Sequence, residues 1–410
     1  MVHAAARLRD PRRGPRVHAV RARHGDRAQP PAAGGAVTTD ATEQEPAPGT
    51  DPGAPEPRGG STVRPTLQIE DLRITYRGSR GEIPAVRGIS LTLNPGDTLG
   101  LAGESGCGKS TVAAAVLRLL PPGTEVTGRI LLDGEDILAM SFGKLRAVRW
   151  AGASIVFQGA MHSLNPVHRI ARQIAEPIVL HEGVGREAAE ARAVELMAQV
   201  GLPAWRATSY PHELSGGQRQ RVMIAMALAC SPQLIVADEA TTALDVMIQA
   251  QVLRLLKQLV TERHIALVMI SHDLSVLADT CERLAVMYAG RLVEHGPSHE
   301  VFAGARHPYA QALSAAFPTV GDPAERRNPQ GLAGDPPDPA DLPTGCSFHP
   351  RCPVVMAECP TTPVTLRAAR DDWQAACLRV EDTGTDTGTD PAAATGDDLP
   401  APTLLTKGDA

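Results

Sequence analysis

Gly103-Glu-Ser-Gly-Cys-Gly108-Lys109-Ser110 satisfies the spacing G-x-x-x-x-G-K-[ST] without a gap, and Thr111 follows it. These residue types suit the holding of a triphosphate. Glycines let the backbone curl until its N–H groups face one anion. A helix starting behind them adds partial positive charge. Lys109 is placed to reach the β- and γ-phosphates, and Ser110 to ligate Mg2+. The whole run is a candidate phosphate cradle: Gly103, Glu104, Ser105, Gly106, Cys107, Gly108, Lys109, Ser110 and Thr111. The Cys107 thiol sits at the start of that helix, where thiols tend to titrate low. Sequence therefore predicts that alkylating it blocks ATP binding and that bound ATP protects it; the alternative is a small residue filling a permissive position. Two carboxylates complement the cradle. Asp238 and Glu239 end the apolar run Leu234-Ile-Val-Ala. Asp238 is placed to hold Mg2+, directly or through water, and Glu239 to polarise an attacking water.

A second group of reactive side chains lies late in the chain. Cys346, Cys352, Cys359 and Cys377 are separated by five, six and seventeen residues. Four thiolates satisfy a 4Fe–4S cluster and equally a tetrahedral Zn2+ site. Unliganded thiols are the third reading. His349, between Phe348 and Pro350, could replace a ligand but reads as a bystander. Cys230 and Cys281 fall in apolar, helix-like stretches and read as core.

These groups need a scaffold. "LQIEDLRITY" from Leu67 alternates apolar and polar residues, as a half-buried strand does. "AVRGISLTLNPGDTLGLAG" continues with strand pattern around a turn at Asn94–Gly96. "RILLDGEDI" reads as a strand ending in an Asp133–Gly134 turn. The cradle lies between the apolar "DTLGLAG" and the helix-like "KSTVAAAVLRLL". Gly185 to Val200 is rich in helix formers. "PQLIVADEA" and "IALVMISHD" are short Ile/Val-rich runs separated by a helix-like Val246–Arg263. That alternation predicts a parallel sheet covered by helices. In such sheets ligands gather at the carboxyl ends of the strands.

The chain has 410 residues, 43% hydrophobic and 3% aromatic, so its core must be aliphatic. A formal charge of −6 argues against a nucleic-acid coat, and no nucleic-acid partner is expected. No apolar run reaches membrane-spanning length, and the Arg-rich start lacks an apolar signal core. An intracellular, reducing compartment is expected, where seven cysteines do not form a disulfide framework. Residues 1–65 pass from basic to acidic and Pro-rich, and read as a disordered extension or as an arm touching anionic lipid. Residues 381–410, with their "TGTD" repeats, read as a low-complexity tail.

"LSGGQRQR", Leu214 to Arg221, resembles the signature motif of ABC transporter ATPases, and lies in the family's order between cradle and Asp-Glu strand. The resemblance implies an α/β fold, an ABC-type P-loop NTPase over residues 66–320. Its parts are a RecA-like parallel-sheet core, an antiparallel β subdomain, and an α-helical subdomain around 160–230. It implies further site residues. Gln158 looks like the glutamine that senses γ-phosphate and Mg2+. Asp245 closes "TTALD", similar to the D-loop. His272 looks like the switch histidine that joins Glu239 around the phosphate. Tyr76 sits where such domains stack an aromatic on adenine. Ser215, Gly216, Gly217 and Gln218 would close on ATP held by an opposing subunit. Pairing with a second ABC ATPase, identical or different, follows. After Gln158 the chain reads Gly159-Ala160, where many relatives have an acidic residue and a proline; this leaves partner choice more open than ATP chemistry.

"HPYAQAL", His307 to Leu313, and "GCSFHPRCP", Gly345 to Pro353, resemble the C-terminal extension of oligopeptide and dipeptide importer ATPases. The implied function is ATP hydrolysis driving peptide uptake through two separate permease subunits, fed by an extracytoplasmic binding protein. The implied location is peripheral, on the cytoplasmic membrane face. Related importers carry nickel, glutathione or other small solutes. A soluble ABC ATPase of DNA repair or translation, and an exporter ATPase, are the rival classes. Relatives that carry a cluster there, together with the wide cysteine spacing, favour 4Fe–4S over Zn2+. Residues 321–380 are then a small extension stabilised by its metal, having little apolar mass of its own.

Overall fold

The computed structural model describes residues 64–78, 81–157, 163–240, 245–316, 332–370 and 372–380. Gln158, Gly159, Ala160, both terminal segments and Thr241–Leu244 of the D-loop-like run lie outside the described residues.

β1 (Leu67–Gly78) buries Leu67, Ile69, Leu72 and Ile74 and turns Asp71 and Arg73 outward. Strict alternation would put Leu72 on the wrong face. A register shift between Ile69 and Leu72, with Asp71 at φ 40°, returns it to the core. β2 (Gly81–Leu93) pairs with β1, and β3 (Thr98–Ala102) follows a turn closed by the Asp97 N–H donating to Asn94 O at 3.1 Å. β4 (Glu125–Leu132) and β5 (Glu135–Asp136) flank the Asp133–Gly134 turn, both of whose residues have positive φ. Among the described residues β1, β2, β4 and β5 form an antiparallel sheet in the order β2-β1-β4-β5.

The larger sheet adds β6 (Ala153–Val156), β7 (Leu234–Asp238), β8 (Ala266–Ile270), β9 (Arg283–Tyr288), β10 (Arg291–Pro297), β11 (Arg367–Arg370) and β12 (Trp373–Ala375). Its order is β11-β12-β10-β9-β3-β8-β7-β6. From β9 to β6 the neighbours are parallel; β10, β12 and β11 are added antiparallel. β3, β7 and β8 are buried along their whole length, as strands covered on both faces are.

Two apolar clusters sandwich the sheet. Leu234, Val236, Val268 and Ile270 join the antiparallel sheet and α1 (Lys109–Val116) on one side. α2 (Phe142–Ala151) contributes Leu145 there. On the other side Ile235, Ala237, Leu267 and Met269 meet the helical layer. That layer is α3 (Ile170–Glu182), α4 (Arg186–Gln199), α5 (Gly216–Ala227) and α6 (Val246–Arg263), then α7 (Leu274–Thr280), α8 (Ser298–Gly304) and α9 (Pro308–Ala315).

The cysteine-bearing extension packs into the main core: Phe348 (1% exposed) and Trp373 (4%) belong to the main core cluster, and β11 and β12 lengthen the main sheet. Glu294, fully buried on β10, accepts from Trp373 Nε1 and the Arg306 N–H, and from the His307 N–H at 2.8 Å. A few large side chains reaching into a neighbour's core supply the burial that the segment's own composition lacks.

Candidate active site

The parallel strands bring the predicted groups to one edge. β3, β8 and β7 are neighbours, with Leu101 and Asp238 both in register with Ile270. Their carboxyl ends deliver the cradle, His272 and the Asp238–Glu239 pair side by side, about 4.8 Å from strand to strand.

The cradle is held tightly. Gly108 caps α1 with φ 107°, a left-handed turn open to glycine. Lys109, 6% exposed, donates from Nζ to Gly103 O at 2.7 Å and Glu104 O at 2.9 Å. Ser105, Gly106 and Ser110 are exposed on the open side. Tyr76 donates its hydroxyl to Thr111 Oγ1 at 3.2 Å, which places its ring beside the start of α1.

Burial pushes the Asp238 carboxyl up; the Ser110 hydroxyl, bonded to it, and Lys109 pull it back, while Glu239 adds to the rise. Among the described residues its Oδ1 is buried without a hydrogen-bond partner. An orphaned carboxylate oxygen next to a serine hydroxyl is the donor set a hard divalent cation takes, so Asp238 and Ser110 fit Mg2+. Glu239 stands at φ 45°, left-handed for a non-glycine residue, with its N–H donating to Ile270 O at 3.0 Å. Its Oε1 lies 3.7 Å from Nδ1 of the exposed His272. Carboxylate and imidazole thus face the same space at the strand ends.

Ser215 is set apart from these groups. It caps α5, accepting from the Gln218 N–H at 3.3 Å, while Gln218 Oε1 accepts from the Ser215 N–H. Gly216 is the first residue of α5, and Gly217 packs so closely on α6 that a Cβ would stand 2.4 Å from Ile248 Cγ2. Asp245 caps α6, accepting from the Ile248 N–H. Among the described residues no hydrogen bond or ion pair joins Ser215 to residues 103–111. Ser215 is exposed, as are Val246 and Met247 at the start of α6, 79% and 69%.

Cys107 corrects the sequence expectation. The thiol is 7% exposed, and burial pushes it up, outweighing the nearby Lys109. The thiol is shielded, and burial holds its pKa above the ordinary thiol value rather than below it. Its type and place at a helix start were legible; the depth of the site was not.

Cys346, Cys352, Cys359 and Cys377 are free thiols lining one small cavity with His307, Phe348 and His349. Burial raises Cys346, Cys352 and Cys377, and Cys359 adds to each rise. Among the described residues no group of three or more His, Cys, Asp or Glu is drawn in to metal-holding geometry. His349 turns its Nδ1 to Cys346 O at 2.9 Å.

Sequence reasoning missed one contributor. Tyr309 is buried beneath the cradle and accepts the Glu104 N–H at 2.8 Å. A lone tyrosine in an apolar helix carries no signal for that contact.

Comparison with known proteins follows this geometry. The family described as ABC transporter matches residues 86–242, and the one described as oligopeptide/dipeptide transporter, C-terminal region, matches residues 293–359. A Brucella abortus chain whose name describes a peptide import ATP-binding protein is 43% identical over 329 residues, 77% of this chain and 97% of its own. The oligopeptide transport ATP-binding protein OppD of Bacillus subtilis is 44% identical over 294 residues, covering 71% of this chain and 82% of OppD. Among solved structures, an ATP-binding cassette captured as a dimer after hydrolysis, with ADP and Pi, superposes with a TM-score of 0.52 at 28% identity. It covers 57% of this chain and 98% of its own.

Proposed function

Because this chain belongs to the ATP-binding proteins of ABC peptide importers, we propose that it hydrolyses ATP to drive uptake of di- and oligopeptides through separate permease subunits. The observation that carries this reading is the meeting of the Lys109 loop, Asp238–Glu239 and His272 at the ends of three adjacent strands.

Each residue then has a task. The loop 103–111 and Lys109 bind the phosphates, and Tyr76 takes the adenine. Ser110 and Asp238, together with Gln158, would hold Mg2+, which would supply charge neutralisation at the phosphates. Glu239 accepts a proton from the attacking water, and His272, in reach of it, orients the γ-phosphate. Ser215 and Gly216–Gln218 present a capped helix start to nucleotide on a second ABC ATPase, whose signature serves this chain in return. The exposed Ser215, Val246 and Met247 support such a seam. Residues 66–320 act as the nucleotide-binding domain and 321–380 as its cysteine extension. Among the described residues no helix is long and apolar enough to cross a membrane. The protein works on the cytoplasmic face, docked on two permeases that an extracytoplasmic binding protein loads.

The test is co-expression with its permeases and reconstitution into vesicles. ATP turnover should rise when binding protein carrying a di- or oligopeptide is added. A rise with nickel or glutathione instead would move the cargo, and failure to associate with any permease would overturn the importer reading.

The four extension thiols hold a 4Fe–4S cluster, with Zn2+ as the alternative; support comes from their convergence on one cavity. Anaerobically purified protein should contain on the order of four iron and four sulfide per chain. Zinc without sulfide would favour the alternative, and a metal-free native protein would remove both.

A further inference from the structure

Glu104, the second residue of the phosphate loop, is gripped at each of its polar groups. Its N–H donates to the Tyr309 hydroxyl at 2.8 Å. Its carbonyl accepts from Lys109 at 2.9 Å. Its carboxylate accepts two bonds from Arg351, Nη1 to Oε2 at 2.8 Å and Nη2 to Oε1 at 3.0 Å. Two of the three partners come from beyond the parallel core: Tyr309 on α9, and Arg351 one residue before Cys352.

Arg351 is built in rather than draped over the surface. Its side chain is 7% exposed and that of Glu104 23%. Its Nε donates to Ala333 O at 3.0 Å, and its Nη1 also lies 3.3 Å from the Tyr288 hydroxyl. The guanidinium stands 5.9 Å from the Tyr288 ring centre and 6.0 Å from that of Phe348. Tyr288, Tyr309 and Phe348 contact one another as a three-ring cluster of tilted and edge-to-face pairs, one ring each from β9, α9 and the cysteine segment. A planar, doubly bonded fork fixes its partner in angle as well as in distance. On the same segment, Ser347 accepts from Arg87 of β2, which also bonds Ala289 O.

We propose that Arg351 is a positioning residue for nucleotide binding: through its two bonds to Glu104, the cysteine-bearing extension sets the conformation of the phosphate loop. The extension is in this sense part of the nucleotide site without touching nucleotide. The coupling is reciprocal, so a ligand that orders the loop also tightens the Arg351 segment. This rests on the reading of residues 103–111 as the nucleotide loop.

The test uses the full chain, purified anaerobically, and a fluorescent ATP analogue with Mg2+. Arg351→Ala and Glu104→Gln should each weaken binding about tenfold. The double variant should bind no more weakly than the weaker single, because both changes break one contact. Glu104→Gln leaves the extension's own residues intact, so it decides the matter if Arg351→Ala fails to fold. Hydrogen exchange supplies the second readout. MgATP should slow exchange across 345–352 in the wild type and not in Glu104→Gln, although residue 104 lies outside that segment. Wild-type affinity in both single variants, or losses that add in the double, would overturn the proposal. A wild type that binds no MgATP would instead overturn the reading of the loop.

Discussion

Glu239→Gln lowers ATP turnover by about 10²–10⁴-fold and leaves MgATP binding in place, the range that loss of a general base costs. The substitution keeps the shape and removes the proton acceptor. The backbone at this position is already committed: φ is 45°, and the N–H is tied to Ile270 O. Strain of this kind persists where the surrounding fold over-determines a residue, and here it aims a carboxylate at the His272 imidazole, 3.7 Å away. Glutamine fits the same strained turn, so the protein should melt as the wild type does. Phosphate release by the permease-bound complex measures the loss. If hydrolysis reopens the seam proposed above, gel filtration with MgATP should show the variant accumulating as a closed dimer. Turnover within tenfold of wild type would show that another group takes the proton.

Gly108→Ala should weaken MgATP binding at least about thirtyfold. The residue holds φ 107°, and left-handed strain of about 2 kcal/mol alone corresponds to that factor. Sterics add to it: a Cβ at 108 would stand 2.4 Å from Ala85 O, a backbone atom of β2 that cannot swing aside. The loop must therefore lift off the strand, and the converging N–H groups lose their common focus. Gly106→Ala is the control. Its φ of 81° is also left-handed, but nothing lies within 4 Å of the added carbon, so it should cost only the torsional part. Calorimetric titration of both variants separates clash from torsion, and equal losses would refute the steric argument.

The strand-end edge that carries the cradle and the Asp238–Glu239 pair was largely legible in the sequence. Local spacing specifies local geometry: a loop between strand and helix needs its glycines at fixed offsets, and "LIVAD" and "ALVMI" are buried throughout as their composition demands. The strand order could not be read, because β3 pairs with β8 and β9, far along the chain, and composition carries no information about such partners. The same limit hid the role of the extension. Pro- and Cys-rich residues indicated a small extension with little apolar mass of its own; composition did not show that Phe348, Trp373 and Arg351 each meet a residue far away in sequence, at 288, 294 or 104. Cys107 shows the reverse case, a correct position with the wrong chemistry, since burial depends on neighbours such as Met287 that close over the loop.

Glu294 receives its three hydrogen bonds from residues 306, 307 and 373. On the ribosome that carboxylate emerges well ahead of the indole that completes its shell. The sheet edge at β10 therefore stays unsealed until the residues of β12 have been made. A transcript truncated shortly before residue 373 would release a nascent protein with a charged group stranded in its interior, a natural target for quality-control proteases.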